Sequence, residues 1–132
     1  MAKLSSIARD TKKAETGVWR EFEGIEFLIA RIDNPDAKKE LRRLSKREKT
    51  LNRGKVDDER AEALLNEAIS KTVLKGWRKL EDDDGNEIPF TPAKALEILS
   101  NPAFAELRNW IVNVATSDQE FRVDQIEEAA KN

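Results

Sequence analysis

The stretch GVWREFEGIEFLIARID, which starts at Gly17, restricts the fold more than any other part of this 132-residue chain, because apolar and polar side chains alternate on both sides of Gly24. Period-two alternation of β-branched and aromatic residues is the pattern of a half-buried strand. Val18, Arg20 and Phe22 fall on one strand face and Trp19 and Glu21 on the other; Ile25, Phe27 and Ile29 repeat the alternation after the glycine. Residues 17 to 32 therefore predict a β-hairpin that turns near Glu23 and Gly24. Two strands alone are only marginally stable in water, so the hairpin has to lay its apolar face on other elements.

Those elements read as helices, since the remaining apolar residues recur at helical spacing behind capping signals. Asn34, Pro35 and Asp36 supply an N-cap, a proline at the first helical position and an acid in the first turn. The helix they open is thinly apolar, with Ala37, Leu41, Leu44 and Leu51, and Gly54 ends it. Asp57 or Asp58 caps a second helix bearing Ala61, Leu64, Leu65, Ala68, Ile69 and Thr72 or Val73. Thr91-Pro92 starts a third with Ala95, Leu96, Ile98 and Leu99, and Asn101-Pro102 a fourth with Phe104, Leu107, Ile111 and Val114. Ser117 to 120 matches a capping box for a last helix with Phe121, Ile126 and Ala129. The expected fold is mainly α (α+β): an N-terminal β-hairpin followed by a bundle of about five helices. Residues 1 to 16 read as a loosely held polar arm and 17 to 130 as one domain, with helices over 34 to 75, a turn or loop over 76 to 90 and the C-terminal helices over 91 to 130. A chain of this size fits one such unit and buries roughly two thirds of its unfolded surface.

The chain has no Cys, His or Tyr. That removes thiolate and imidazole nucleophiles, the Ser-His-Asp triad, thiolate zinc sites and redox pairs, and leaves carboxylates and lysines for acid or base work. The one place where carboxylates crowd together is GWRKLEDDDGNEIPF, residues 76 to 90. Fitted to a calcium loop with Gly85 at the sixth position, Asp82 and Asp84 fall correctly, but Leu80 occupies the first position, where an oxygen ligand is required, and Thr91 the twelfth, where a glutamate is. Nothing in a solvated turn desolvates one acid of a pair to raise its pKa. The stretch reads instead as a tight turn through Asp84, Gly85 and Asn86 that brings Trp77 and Leu80 back against Ile88 and Phe90. No catalytic residue, metal site or cofactor is expected. The opening residues lack an apolar run of signal-peptide length, and no segment approaches the roughly 20 apolar residues that span a bilayer, so the expectation is a soluble, cytoplasmic protein without membrane contact.

Charge is balanced overall, at -2, but not locally: KKELRRLSKREKTLNRGK, residues 38 to 55, holds nine basic residues against two acidic ones. Lys38, Lys39, Arg42, Arg43, Lys46 and Arg47 are candidates for electrostatic contact with a partner. Such a helix can bind nucleic acid, yet no aromatic interrupts the run to stack on a base, which favours a solvated helix face.

The order of these motifs carries a resemblance. GVWREFEGIEFLIARIDNP, a basic helix, GWRKLEDDDGNEIPFTPAKALEIL and NPAFAELRNWIVNVA together resemble the tail assembly chaperones of tailed bacteriophages and prophages, over about residues 17 to 122. The resemblance implies a non-enzymatic protein of the bacterial host cytoplasm, absent from the mature virion. It would bind the apolar-rich tape measure protein, keep it soluble and assist assembly of the tail tube protein. Partner-binding candidates are then Trp77, Phe90, Phe104, Leu107, Trp110, Ile111 and Val114. The stripe of Phe104, Leu107, Ile111 and Val114 reads first as the domain's own core; Trp110, off its centre, is the better contact residue, and Trp77 and Phe90 pin the acidic turn against the helices. Family habit also implies a longer form of the protein made by a backward frameshift, for which Ala130-Lys131-Asn132 permits a slippery codon run, and self-association is expected to be open to it. The alternative is a small phage or bacterial regulator that binds nucleic acid through residues 38 to 55.

Overall fold

The computed structural model describes residues 1, 3–51, 53 and 55–123. The hairpin forms where the alternation places it: β1 (Val18–Phe22) pairs antiparallel with β2 (Ile25–Ile29), Phe22 opposite Ile25. Glu23 and Gly24 both take positive φ, 51° and 83°, the backbone twist that a two-residue hairpin turn requires.

A third strand, β3 (Leu74–Arg78), corrects the expectation of helix to residue 75 followed by loop; it pairs antiparallel with β2 and makes a sheet of order β1-β2-β3. Its alternation is hidden in the sequence for a structural reason. The register slips between Leu28 and Ile29, so that Gly76 opposes Leu28 while Leu74 opposes Ile29, and Lys75 is the extra residue of the bulge. One face of the sheet, Val18, Ile29 and Leu74 with Phe27 and Trp77, turns to the core. On the other, the Trp19 ring lies near Gly76 and under the Arg78 guanidinium, 4.0 Å from its carbon to the ring centroid.

Among the described residues five α-helices form, one before the hairpin and four after it: α1 (Thr11–Thr16), α2 (Pro35–Leu51), α3 (Asp58–Thr72), α4 (Pro92–Ser100) and α5 (Ala105–Thr116). Three of the expected caps are made. The backbone N–H of Ala37 donates to Asn34 Oδ1 at 3.0 Å, that of Arg60 to Asp57 Oδ1 at 2.8 Å and that of Lys94 to Thr91 Oγ1 at 3.0 Å. Asn101 caps only a short 3-10 turn, Pro102–Phe104, and α5 begins after it. The helix expected from Ser117 is a 3-10 turn, Asp118–Phe121; the Ser117 side chain makes no cap bond, and the backbone is extended again at Arg122, where it bridges to Arg9. Ile126 and Ala129 lie outside the described residues.

The sheet's inner face packs on α3, α4 and α5 around Phe27, Ile29, Ile69, Val73, Leu99 and Ile111, all nearly fully buried. Each such side chain contributes roughly 1.5–3 kcal/mol by leaving water. The segment read as a loose arm is partly built in. Asp10 caps α1, its N–H donates to the Phe121 carbonyl at 2.7 Å, and Ala14 packs with Val18 and Phe121 in a small second cluster.

Candidate functional site

The hairpin end, the loop after β3, and helices α4 and α5 enclose an apolar groove of about 430 Å³. Phe22 and Ile25 form its hairpin wall, Leu80 and Ile88 its loop wall, Ile98 the α4 side, and Phe104 and Leu107 the α5 side, over a floor that includes Phe27, Trp77 and Ile111. The hairpin turn puts Phe22 and Ile25 side by side at the sheet's end, and the Asn101-Pro102 kink lifts Phe104 off the helix to the groove's mouth. Phe104 stays 45% exposed, against 1% for Ile111 on the same stripe. An open trough of this lining suits the apolar side chains of a helix.

The sequence candidates thus divide. Phe104, Leu107, Ile111 and Trp77 meet at the groove, whereas Phe90, Trp110 and Val114 are not part of its lining. The stripe read as core divides: Ile111 and Val114 are buried as expected and Leu107 is half-buried, but Phe104, in the 3-10 turn before α5, is exposed, while Trp110, read as the contact residue, is half-buried with its ring 5.0 Å from Phe22 and 5.8 Å from Phe27. The reason for the latter is the hairpin, whose Phe22 and Phe27 rings pack against one side of Trp110. Trp77 and Phe90 pin the loop as expected: their rings meet edge-on at 4.8 Å, and the Trp77 indole N–H donates to the Ile88 carbonyl at 2.7 Å. Sequence reasoning missed Phe22, Ile25, Leu80 and Ile88 as groove walls. The available signal was that each flanks a turn, so that both turns end in apolar residues.

The acidic stretch is a hydrogen-bonded turn. Asp82 Oδ1 accepts from the N–H of Asp84 at 3.0 Å and of Asn86 at 2.9 Å, Gly85 has φ 82°, and the Ile88 N–H donates to the Leu80 carbonyl at 2.8 Å. Among the described residues no group of three or more carboxylates is placed to hold a metal ion.

The basic helix α2 is partly neutralised. Arg43 donates to Glu40 at 2.6 Å, Lys71 reaches Glu40 at 3.3 Å, and Arg47 pairs with Glu67 at 3.1 Å. Arg43's hydrogen bond, reinforced by Lys71 against the opposing effect of burial, holds the Glu40 carboxyl below its ordinary value. Buried Glu48 accepts from Arg60, whose guanidinium this bond holds more firmly in the charged form. Lys39, Arg42 and Lys46, with Arg43 and Lys71, border an open depression of about 770 Å³ beside α3 that also contains Asp36 and Glu40. Lys38, Lys39, Arg42 and Lys46 stay outside these pairs and face solvent. Among the described residues no helix is long and apolar enough to cross a membrane.

Comparison with known proteins points to a prophage-derived chain. A family model described as YdaY prophage protein matches residues 32–132, which takes in the loop, α4 and α5 sides of the groove and leaves the hairpin wall before the match. Neither the curated proteins nor the solved structures contain a match to the chain.

Proposed function

The chain belongs to the YdaY prophage protein family, and from that premise we propose that it is a tail assembly chaperone. In this reading it is a non-enzymatic protein that holds the unassembled tape measure protein in the host cytoplasm, keeps it soluble and hands it on as tube subunits gather. The observation that carries the reading is the groove, with the exposed Phe104 and the half-buried Leu107 on one side and Phe22 and Ile25 on the other. A long helix with an apolar face aggregates unless a partner covers that face, and a groove of apolar walls covers it. A frameshifted longer form belongs to the same proposal. A gene without a slippery run at codons 130 to 132 and without an overlapping frame removes that part alone.

The competing reading, a nucleic-acid-binding regulator, draws on the solvent-facing cations Lys38, Lys39, Arg42 and Lys46. Pairing of Arg43 and Arg47 with Glu40 and Glu67 weighs against it. Co-expression of the chain with the tape measure protein encoded beside its gene, followed by pull-down at low and high salt, separates the two. Chaperone action gives a soluble complex that persists at high salt. Retention of DNA or RNA at low salt only, with no protein complex, gives the regulator, because phosphate contacts weaken steeply as counterions are restored.

A further inference from the structure

The mouth of the groove differs in charge from its walls. Glu23 on the hairpin turn, Glu81, Asp82 and Asp83 on the loop and Glu97 on α4 stand around it, against one cation among the described residues of the lining, Lys94, whose Nζ already lies 3.3 Å from Glu97. Arg78 and Lys79, which lie between the groove residues Trp77 and Leu80 in sequence, are engaged by Glu26 at 2.7 and 3.3 Å. Of the acids, Asp82 has a structural task in holding the turn. Glu23, Glu81 and Asp83 are exposed and share in none of these pairs. An apolar trough is thus bordered by three carboxylates that form no ion pair among the described residues.

We infer that the groove takes an amphipathic helix that carries lysine or arginine beside its apolar face. Its apolar side chains enter between Ile25, Leu80, Phe104 and Leu107, and its cations meet Glu23, Glu81 and Asp83. This rests on the reading of the groove as a helix-binding site and adds the sign of the partner's charge. Apolar burial supplies affinity without regard to charge, whereas the acidic border speeds encounter with a basic helix and penalises an acidic one. A second copy of this chain is the weaker occupant, since its basic helix α2 exposes only Leu41 and Leu51 among its large apolar residues.

The test titrates the full chain with two synthetic peptides that share one leucine face spaced i, i+3, i+4, i+7, one flanked by lysines and the other by glutamates. Binding is followed by calorimetry and by tryptophan fluorescence, for which Trp77 in the groove floor is a reporter. The lysine peptide is expected to bind at least ~10-fold more tightly at low salt, with the difference collapsing near 1 M salt, where screening acts within about 3 Å. The triple variant Glu23→Gln, Glu81→Gln, Asp83→Asn, its fold checked by circular dichroism, should lose most of that preference, since only Asp82 and Glu97 then face Lys94. Equal binding of the two peptides to the wild type, or a preference undiminished in the triple variant, overturns the charge assignment while leaving the groove reading in place. Binding of neither peptide removes both. Sedimentation of the chain alone covers the remaining occupant: a dimer that the lysine peptide cannot dissociate gives the groove to a second copy and overturns the inference.

Discussion

Trp77 and Ile88 are joined across the acidic loop by a 2.7 Å hydrogen bond from the indole N–H to the backbone carbonyl, at the point where β3 ends and the chain turns back toward α4. The bond fixes the loop wall of the groove, because Leu80 and Ile88 are held by the same turn. Trp77→Phe keeps most of the ring but removes the donor, leaving the Ile88 carbonyl short of a partner. Its expected cost is about 1–3 kcal/mol. Trp77→Ala also empties the space beside Phe90 and should cost about 3–5 kcal/mol. Urea unfolding of the two variants measures the difference, and a Phe variant as stable as the wild type would deny the bond its role.

Gly17 and Gly85 both have positive φ, 103° and 82°, but differ in their surroundings. A Cβ on Gly17 would sit 3.1 Å from the Leu28 side chain and 3.2 Å from the Ile29 backbone, whereas one on Gly85 meets nothing within 4 Å. Gly85→Ala is expected to carry the backbone term alone, about 1–2 kcal/mol. Gly17→Ala adds a clash against strand β2 and should lower the thermal midpoint further. Equal midpoints for the two variants would mean that the strand gives way freely.

Glu40 and Glu26 make stability depend on pH in the acid range. Hydrogen bonds from Arg43 to Glu40, and from Arg78 to Glu26, hold both carboxyls below their ordinary value of 4.5 in the folded chain. As pH falls through 4.5 the unfolded chain therefore takes up protons first, so the stabilisation is complete above that value and is lost as pH drops through the lowered folded values. The double variant Glu40→Gln, Glu26→Gln should show a shallower decline in urea midpoint below about pH 4.5 than the wild type. An unchanged decline would assign acid sensitivity to other carboxylates.

The hairpin, the caps at Asn34, Asp57 and Thr91, and the acidic turn were legible in the sequence because each is fixed by neighbours within a few residues. β3 was not, since its pattern is broken by Lys75 and Gly76, and both make sense only against partners far away, the bulge at Leu28 and the Trp19 ring. The α5 stripe shows the same limit. Helical spacing says that Phe104, Leu107, Ile111 and Val114 share a side, but which of them is covered depends on where the hairpin lies, and that is set by pairing between segments more than 40 residues apart. Ser117 illustrates the reverse: a local capping-box sequence yields only a 3-10 turn, and the residue after that turn, Arg122, is extended in a bridge with Arg9.

Phe104 and Ile111 separate binding from folding on one helical stripe. Ile111 is 1% exposed beneath the sheet, so Ile111→Ala should destabilise by about 2–5 kcal/mol through the cavity it leaves. Phe104, at 45% exposure, touches the groove's mouth rather than its packed floor, and Phe104→Ala should alter stability by no more than about 0.5 kcal/mol. If the groove holds a helix, the same exposed ring becomes buried in the complex, and its truncation should weaken retention of the tape measure protein by about 2 kcal/mol or more, as for a central anchor residue. Unfolding and pull-down on the one variant decide between the roles. Unchanged stability with lost retention assigns Phe104 to the partner, whereas a stability loss comparable to that of Ile111→Ala returns the whole stripe to the core and leaves the groove without its exposed wall.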